Sequence, residues 1–374
     1  MIQERAFWLA WSQISGVGPI LIKRLHQQFG TLAEAWEANP EALVQVEGVG
    51  FSTAQAIAAE RLKCQPDRLL AQHERKNPHF WTPADPSYPP LLLEIPDPPP
   101  LLYYRGKASL AKDLKSLPAI AIVGTRDPSD YGRRWTRKLS SSLAQSGFIV
   151  VSGLADGIDT EAHRSCLETG GQTIAVLGTG VDVVYPHTNR NLYQELTENG
   201  LALSEYPAGT QPDRTHFPRR NRIVAGLCRA VLVIEAPKKS GALITAHLAN
   251  DYNRDVYALP GSLDNFKSKG CLALISKGAQ MILGESELLE MLGTLPQLDR
   301  TADFEQLPLL DLSPELSQVL QSVAIVTRSK SESISFDLIV QQTEMTAGSV
   351  SAALLQLEML GLVSQLPGLR YRAI

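Results

Sequence analysis

The chain has 374 residues, 44% of them hydrophobic, and a formal net charge of −4. That length predicts two or three domains with sizeable cores, and the charge excludes a global basic field, so any site for a polyanion must be local. The four cysteines, Cys64, Cys166, Cys228 and Cys271, are far apart and lack CxxC spacing, and the seven histidines form no HExxH pattern. This argues against a zinc ribbon, a disulfide framework, a metal site or a bound cofactor and predicts reduced, mostly buried thiols. No signal-peptide pattern and no apolar run long enough to span a bilayer is present, so a cytoplasmic protein without membrane insertion is expected.

Residues 1–75 read as short helices. ISGVGPILIKRL at 14–25 and VEGVGFSTAQAI at 46–57 share a Gly-x-Gly turn followed by an amphipathic helix. The pattern resembles paired helix-hairpin-helix motifs, whose turns expose amides to a phosphate backbone. Lys23 and Arg24 are its one basic pair, so a packing module is at least as strong a reading. Residues 76–118 include TPADPSYPPLLLEIPDPPP, too rich in proline for a helix or a central strand, and are assigned to a connector and the edge of the core.

From 119 to 292 short apolar runs (AIAIVG, FIVVSG, TIAVLG, LALSEY, AVLVIEA, DVYALPG) alternate with helical segments. Such runs, each followed by a Gly-containing turn and a helix, predict an α/β, Rossmann-like, doubly wound and mostly parallel sheet. A linker at 293–313 leads to 314–374, whose two helices and terminal hairpin read as a winged helix. Its would-be recognition helix, 346–361, has no Lys or Arg, so protein contact or internal packing is expected there rather than groove binding.

Ligands of open α/β sheets bind beyond the carboxyl ends of the strands. The first strand of this domain ends in Gly124, Thr125 and Arg126, the second in Ser152 and Gly153, and the fifth is followed by Lys239, Ser240 and Gly241. FPRRNRIVAG, from 217 to 226, adds Phe217, Arg219, Arg220, Asn221 and Arg222 just before an apolar run. Arginine forks suit phosphate, Asn221 can read a base edge, and Phe217 offers a face for stacking. Together these residues form the expected polyanion site, with all four arginines at the mouth of the sheet. Asp156, Asp159, His163, Glu205 and Glu235 are available as acid or base groups, but none lies beside an evident nucleophile. Asp159 reads as a helix N-cap and His163 as a packed histidine, so no catalytic residue is assigned. GTGVDV lacks the third glycine of a dinucleotide fingerprint, and no GxxxxGK[ST] occurs.

VGTRDPSDYG, SGLADGIDTEAH, TIAVLGTGVDVVYPHTN, LSEYPAG, FPRRNRIVAGL, SGALITA and ALPG, in this order, resemble the DNA-processing protein A (DprA/Smf) family. The resemblance implies a non-enzymatic homodimer that binds and protects incoming single-stranded DNA and helps load RecA recombinase in natural transformation. It also implies that Arg126, Arg219, Arg220 and Arg222 hold phosphates while Lys239, Ser240 and Gly241 close the pocket. Leu272 stands in SKGCLALI where members often have Asn. The alternative is a nucleotide-processing enzyme similar to the cytokinin-activating phosphoribohydrolases, although SGALITA lacks the carboxylate that follows their PGGxGT turn.

Overall fold

Six helices occupy the first 76 residues: α1 (Ile2–Gln13), α2 (Pro19–Phe29), α3 (Leu32–Glu37), α4 (Pro40–Leu43), α5 (Phe51–Arg61) and α6 (Pro66–Lys76). The two Gly-x-Gly turns end at Gly18 and Gly50, the N-caps of α2 and α5, neither of which has a side-chain cap. Gly48 sits at φ +90°, where an L side chain would be strained. The helices enclose their own core, with Trp8, Trp11, Ile22, Leu25 and Ile57 buried. Lys23 and Arg24 are committed within the fold. Lys23 Nζ donates to the carbonyls of Leu93 (2.9 Å) and Ile95 (2.7 Å), and Arg24 pairs with Glu47 at 3.1 Å. The basic pair therefore fastens the helical module to the next domain and to its own second turn.

This computed structural model describes residues 2–114, 116–293, 314–326, 334–343, 345–359, 362–366 and 370–373. Apart from Gly293, the expected linker at 293–313 lies outside the described residues. The chain divides into two compact units, residues 1–298 and 299–374.

The first unit is built on a nine-stranded sheet: β1 (Phe80–Trp81), β2 (Leu102–Gly106), β3 (Ala119–Val123), β4 (Ile149–Ser152), β5 (Thr173–Leu177), β6 (Leu201–Ser204), β7 (Ala230–Val233), β8 (Asp255–Ala258) and β9 (Gln280–Met281). Their order is β1-β2-β6-β5-β4-β3-β7-β8-β9. The six apolar runs are β3 to β8, all parallel. The segment 76–118 supplies the antiparallel edge pair β1–β2, which brackets the proline-rich stretch, the short helix α7 (Pro90–Glu94) within that stretch, and α8 (Ser109–Asp113) after it. Between and after the parallel strands run α9 (Asp130–Gln145), α10 (Ile158–Glu168), α11 (Arg190–Asn199), α12 (His216–Leu227), α13 (Gly241–Asp251), α14 (Lys269–Ile275) and α15 (Glu285–Leu292).

Successive strand side chains alternate between two cores. Ala121, Val123, Val151 and Val233 join the core that includes Ile223 of α12 and Ala246 of α13, whereas Ile120, Ile122, Val150 and Leu232 join Leu139 of α9 and Ile158 of α10. Burial on both faces explains why the runs are continuously apolar, each Val, Ile or Leu contributing about 1.5–3 kcal/mol.

The second unit contains α16 (Pro314–Val326), β10 (Ile334–Ser335), α17 (Phe336–Thr343), α18 (Ala347–Met359), β11 (Val363–Leu366) and β12 (Arg370–Ala373), with strand order β10-β12-β11. Val350, Leu354 and Leu357 of α18 are buried against Val319 and Val323 of α16. The would-be recognition helix thus uses its apolar stripe for internal packing.

Candidate nucleic-acid interface

The chain passes from β3 to β4 on one side of the sheet and later returns to β7 on the other, so the loops leaving β3 and β7 diverge and open a crevice. A cavity of about 1000 Å³ lies there. It is lined by Gly124, Thr125 and Arg126 after β3, Gly153 after β4, Lys239, Ser240 and Gly241 at the start of α13, and Phe217, Arg220 and Asn221 of α12. All ten are residues singled out in the sequence.

FPRRNR forms the first turns of α12, and helical phase sorts its side chains. Phe217, Pro218, Arg220, Asn221 and Val224, spaced i, i+1, i+3, i+4 and i+7, line the cavity. Arg222 does not. It is buried, with Nη2 2.6 Å from Glu205 Oε2 and Nε 3.2 Å from Asp97 Oδ2, so its expected place at the mouth is corrected to a buried ion pair joining α12, the end of β6 and the proline-rich segment. Arg219 lies over half exposed but opens onto a neighbouring cavity, with Nε 3.6 Å from Glu205. Ser152 is also corrected. It is fully buried at the end of β4, its hydroxyl donates to the Ile122 carbonyl at 2.6 Å, and it does not line the cavity.

Arg220 lines the cavity but is only 5% exposed. Its Nη1 donates to the Gly153 carbonyl at 2.6 Å and to that of Val176, bracing the ends of β4 and β5. Burial lowers its pKa to about 10, and the nearby Asp159 carboxylate opposes that shift. Gly153 is required beside it, because a Cβ there would lie 2.5 Å from Arg220 Nη2.

Asp159 is not the N-cap of α10. Gly157 is, at φ +82°, and Asp159 lies in the first turn, accepting hydrogen bonds from the amides of Gly153 (3.0 Å) and Ala155 (3.3 Å). Burial raises its carboxyl above the usual range, opposed chiefly by Arg220. His163 is wholly buried with Nδ1 2.7 Å from Thr173 Oγ1, and burial lowers its pKa to about 3, which makes it a neutral packed histidine. Glu235 accepts from the amide (2.8 Å) and hydroxyl (2.6 Å) of Ser129, tying the β3 loop to β7. The carboxylates singled out earlier are thus engaged in holding loops.

The rim of the cavity is cationic. Arg126, Arg214, Lys238 and Lys239 line it, are exposed, and form no ion pair among the described residues. The Arg126 guanidinium stands 5.8 Å from the Phe217 ring centroid, and Phe217 is 5.4 Å from Tyr185. Arg214, Phe266 and Ile244 were not in the sequence-based set; Arg214 precedes α12 by two residues, a proximity that could have included it, whereas nothing local marks the other two. Among the described residues no three His, Cys, Asp or Glu side chains converge to hold a metal ion, and no helix is long and apolar enough to cross a membrane. The four cysteines are free and, apart from the half-buried Cys64, buried.

A doubly wound sheet with a cation-rimmed switch-point cavity, preceded by a tandem helix-hairpin-helix module and followed by a winged helix, defines the class. The family model of DNA recombination-mediator protein A matches residues 79–293, the DprA winged helix domain 306–368 and a SAM-like helix-hairpin-helix tandem 11–61. The chain belongs to the DNA recombination-mediator protein A family. It is 50% identical to Protein Smf of Synechocystis sp. over 99% of this chain and 98% of that protein, and 44% identical to DNA processing protein DprA of Streptococcus pneumoniae over 63% and 81%. The solved structure of the Streptococcus pneumoniae protein superposes with a TM-score of 0.66 at 36% identity, covering 76% of this chain and 97% of that one. A structure of DNA processing protein A from Helicobacter pylori, described for its single-stranded DNA binding mode, gives a TM-score of 0.52 at 34% identity over 57% and 95%.

Proposed function

We propose that this protein binds single-stranded DNA in the switch-point cavity and acts as a recombination mediator that performs no chemistry on the strand. The supporting observation is the rim of four exposed cations that form no ion pair among the described residues, set around the partly exposed ring of Phe217. Phosphates would lie against Arg126, Arg214, Lys238 and Lys239 and the amides at the start of α13, while a base stacks on Phe217 or Tyr185. Gly124, Thr125, Gly153, Ser240 and Gly241 give the backbone close access, and Asn221 is placed to read a base edge. Arg220 contributes a positive field and holds the floor rather than gripping a phosphate. The Helicobacter pylori relative is described for its single-stranded DNA binding mode, which supports the strand-binding part of this reading. Protection of the incoming strand, hand-over to RecA recombinase and action as a homodimer in the cytoplasm during transformation are our extension of it, on the resemblance of the sequence to the DprA/Smf family.

The nucleotide-processing alternative needs a free acid or base in the cavity. The carboxylate that lines it, Asp159, is buried against two amides and Arg220, so no observation favours that alternative. Fluorescence anisotropy with a labelled oligo-dT, beside incubation with nucleoside monophosphates, tests both. Salt-sensitive strand binding without release of free base is expected. Free base appearing at a rate that Asp159→Asn abolishes would overturn the proposal.

A further inference from the structure

We infer that a second single-strand track leaves the switch-point cavity over Arg219 and runs between the helical module and the β2–β6 edge of the sheet. This rests on the reading of the switch-point cavity as a single-strand site. Three cavities lie along this path and share lining residues. The first, about 510 Å³, is lined by Arg219 and Tyr206 from the core and by Gly18, His73 and Lys76 from the helical module. The second, about 460 Å³, shares Lys76, Asn77 and Tyr103 with it and continues to Tyr104 and Arg105. The third, about 400 Å³, shares Arg105 and ends at Arg190. The track meets the switch-point cavity on α12, where Pro218 lines one and Arg219 the other.

The charges along this furrow are unequal in their freedom. Lys76, Arg105, Arg190 and Arg219 are all exposed, and among the described residues the first three form no ion pair. Arg105 lies over the Tyr193 ring at 6.0 Å. The two carboxylates that line the furrow are held by protein donors, Glu205 by Arg222 at 2.6 Å and Asp182 by the Gly209 amide at 2.8 Å. The furrow therefore presents cations outward, spaced along a path rather than gathered in one spot. That suits a polyanion chain better than a single small anion. Tyr206, stacked on His216 at 4.0 Å, and Tyr104, stacked on Trp81 at 4.0 Å, are partly exposed and pre-oriented, so each can receive a base at low entropic cost. The helical module then contributes the C-terminal end of α6 as a groove wall, while its basic pair Lys23 and Arg24 only secures it.

The test compares oligo-dT of about 6 nucleotides, enough for the switch-point cavity, with oligo-dT of about 24, in the wild-type chain and in the triple variant Lys76→Ala, Arg105→Ala, Arg190→Ala. All three positions are exposed, and equal melting temperatures verify the fold. The longer strand should lose at least about tenfold in affinity and its log–log salt slope should become shallower by about 2, three phosphate contacts at about 0.7 each, while the shorter strand changes by less than about twofold. A 24-mer whose affinity and salt slope are unchanged overturns the track. Equal losses for both lengths also overturn it, since the cations would then act on the switch-point cavity as a general field. A wild-type chain that binds neither length overturns the switch-point reading itself.

Discussion

At the residue scale, the arginines of FPRRNR divide into those that can meet a ligand and those that hold the fold. Arg126, outside that segment but exposed over Phe217, is the free one nearest a stacking face. Arg126→Ala should weaken oligo-dT binding about tenfold with an unchanged melting temperature and reduce the salt slope by about 0.7. Arg126→Lys should recover only part of that loss, because the fork is replaced by a point charge. Arg222→Ala should behave oppositely. It leaves the buried Glu205 carboxylate with only the more distant Arg219, 3.6 Å away, and takes the ion-pair partner from the partly exposed Asp97, so a loss of about 3 kcal/mol in unfolding free energy is expected by denaturant titration. A variant that keeps wild-type stability yet loses DNA would return Arg222 to the binding site.

His163 carries a pH signature. Its folded pKa, about 3, lies below its ordinary 6.5, so the unfolded chain binds more protons between those values. Stability is fully present above about pH 6.5 and falls as the solution is acidified toward 3. By pH 5 the loss from this group alone is about 2 kcal/mol, at 1.36 kcal/mol per unit. Melting curves at pH 7 and pH 5 should differ less in His163→Gln than in the wild-type chain. An equal acid shift in both would mean that other groups dominate.

At the scale of elements, the six parallel strands were legible because each is buried on both faces and so reads as an unbroken apolar run. β1, β2 and β9 were not, since two are only two residues long and β2, at the end of the proline-rich segment, carries Tyr, Tyr and Arg. The site was legible to the level of loops, because the carboxyl ends of parallel strands must converge on the switch point. Which side chains face it depends on the phase of α12. Phe217, Arg220, Asn221 and Val224 carry the i, i+3, i+4, i+7 pattern in the sequence itself, and applying it would have separated Arg219 and Arg222 from the cavity face. Phe266 arrives from the loop after β8, a meeting that only the tertiary structure creates.

For the whole molecule, the winged helix is expected to leave strand affinity unaltered. The segment after Leu310 has more acids than bases, and α18, which packs its apolar stripe inward, has no Lys or Arg. A chain ending near residue 310 should bind oligo-dT within about threefold of the full chain at fixed salt, with mass checked by light scattering. A tenfold loss, about 1.4 kcal/mol, at unchanged mass would assign DNA contact to that domain. The outermost strands of the large sheet carry a different consequence. β1 and β9 are two residues each, flanking seven longer strands of which six are the apolar runs β3 to β8. Long exposed edges of such strands would template cross-β association between chains, and these short terminal pairs leave little backbone for another molecule to zip onto. The sheet can thus be wide and apolar without seeding fibrils.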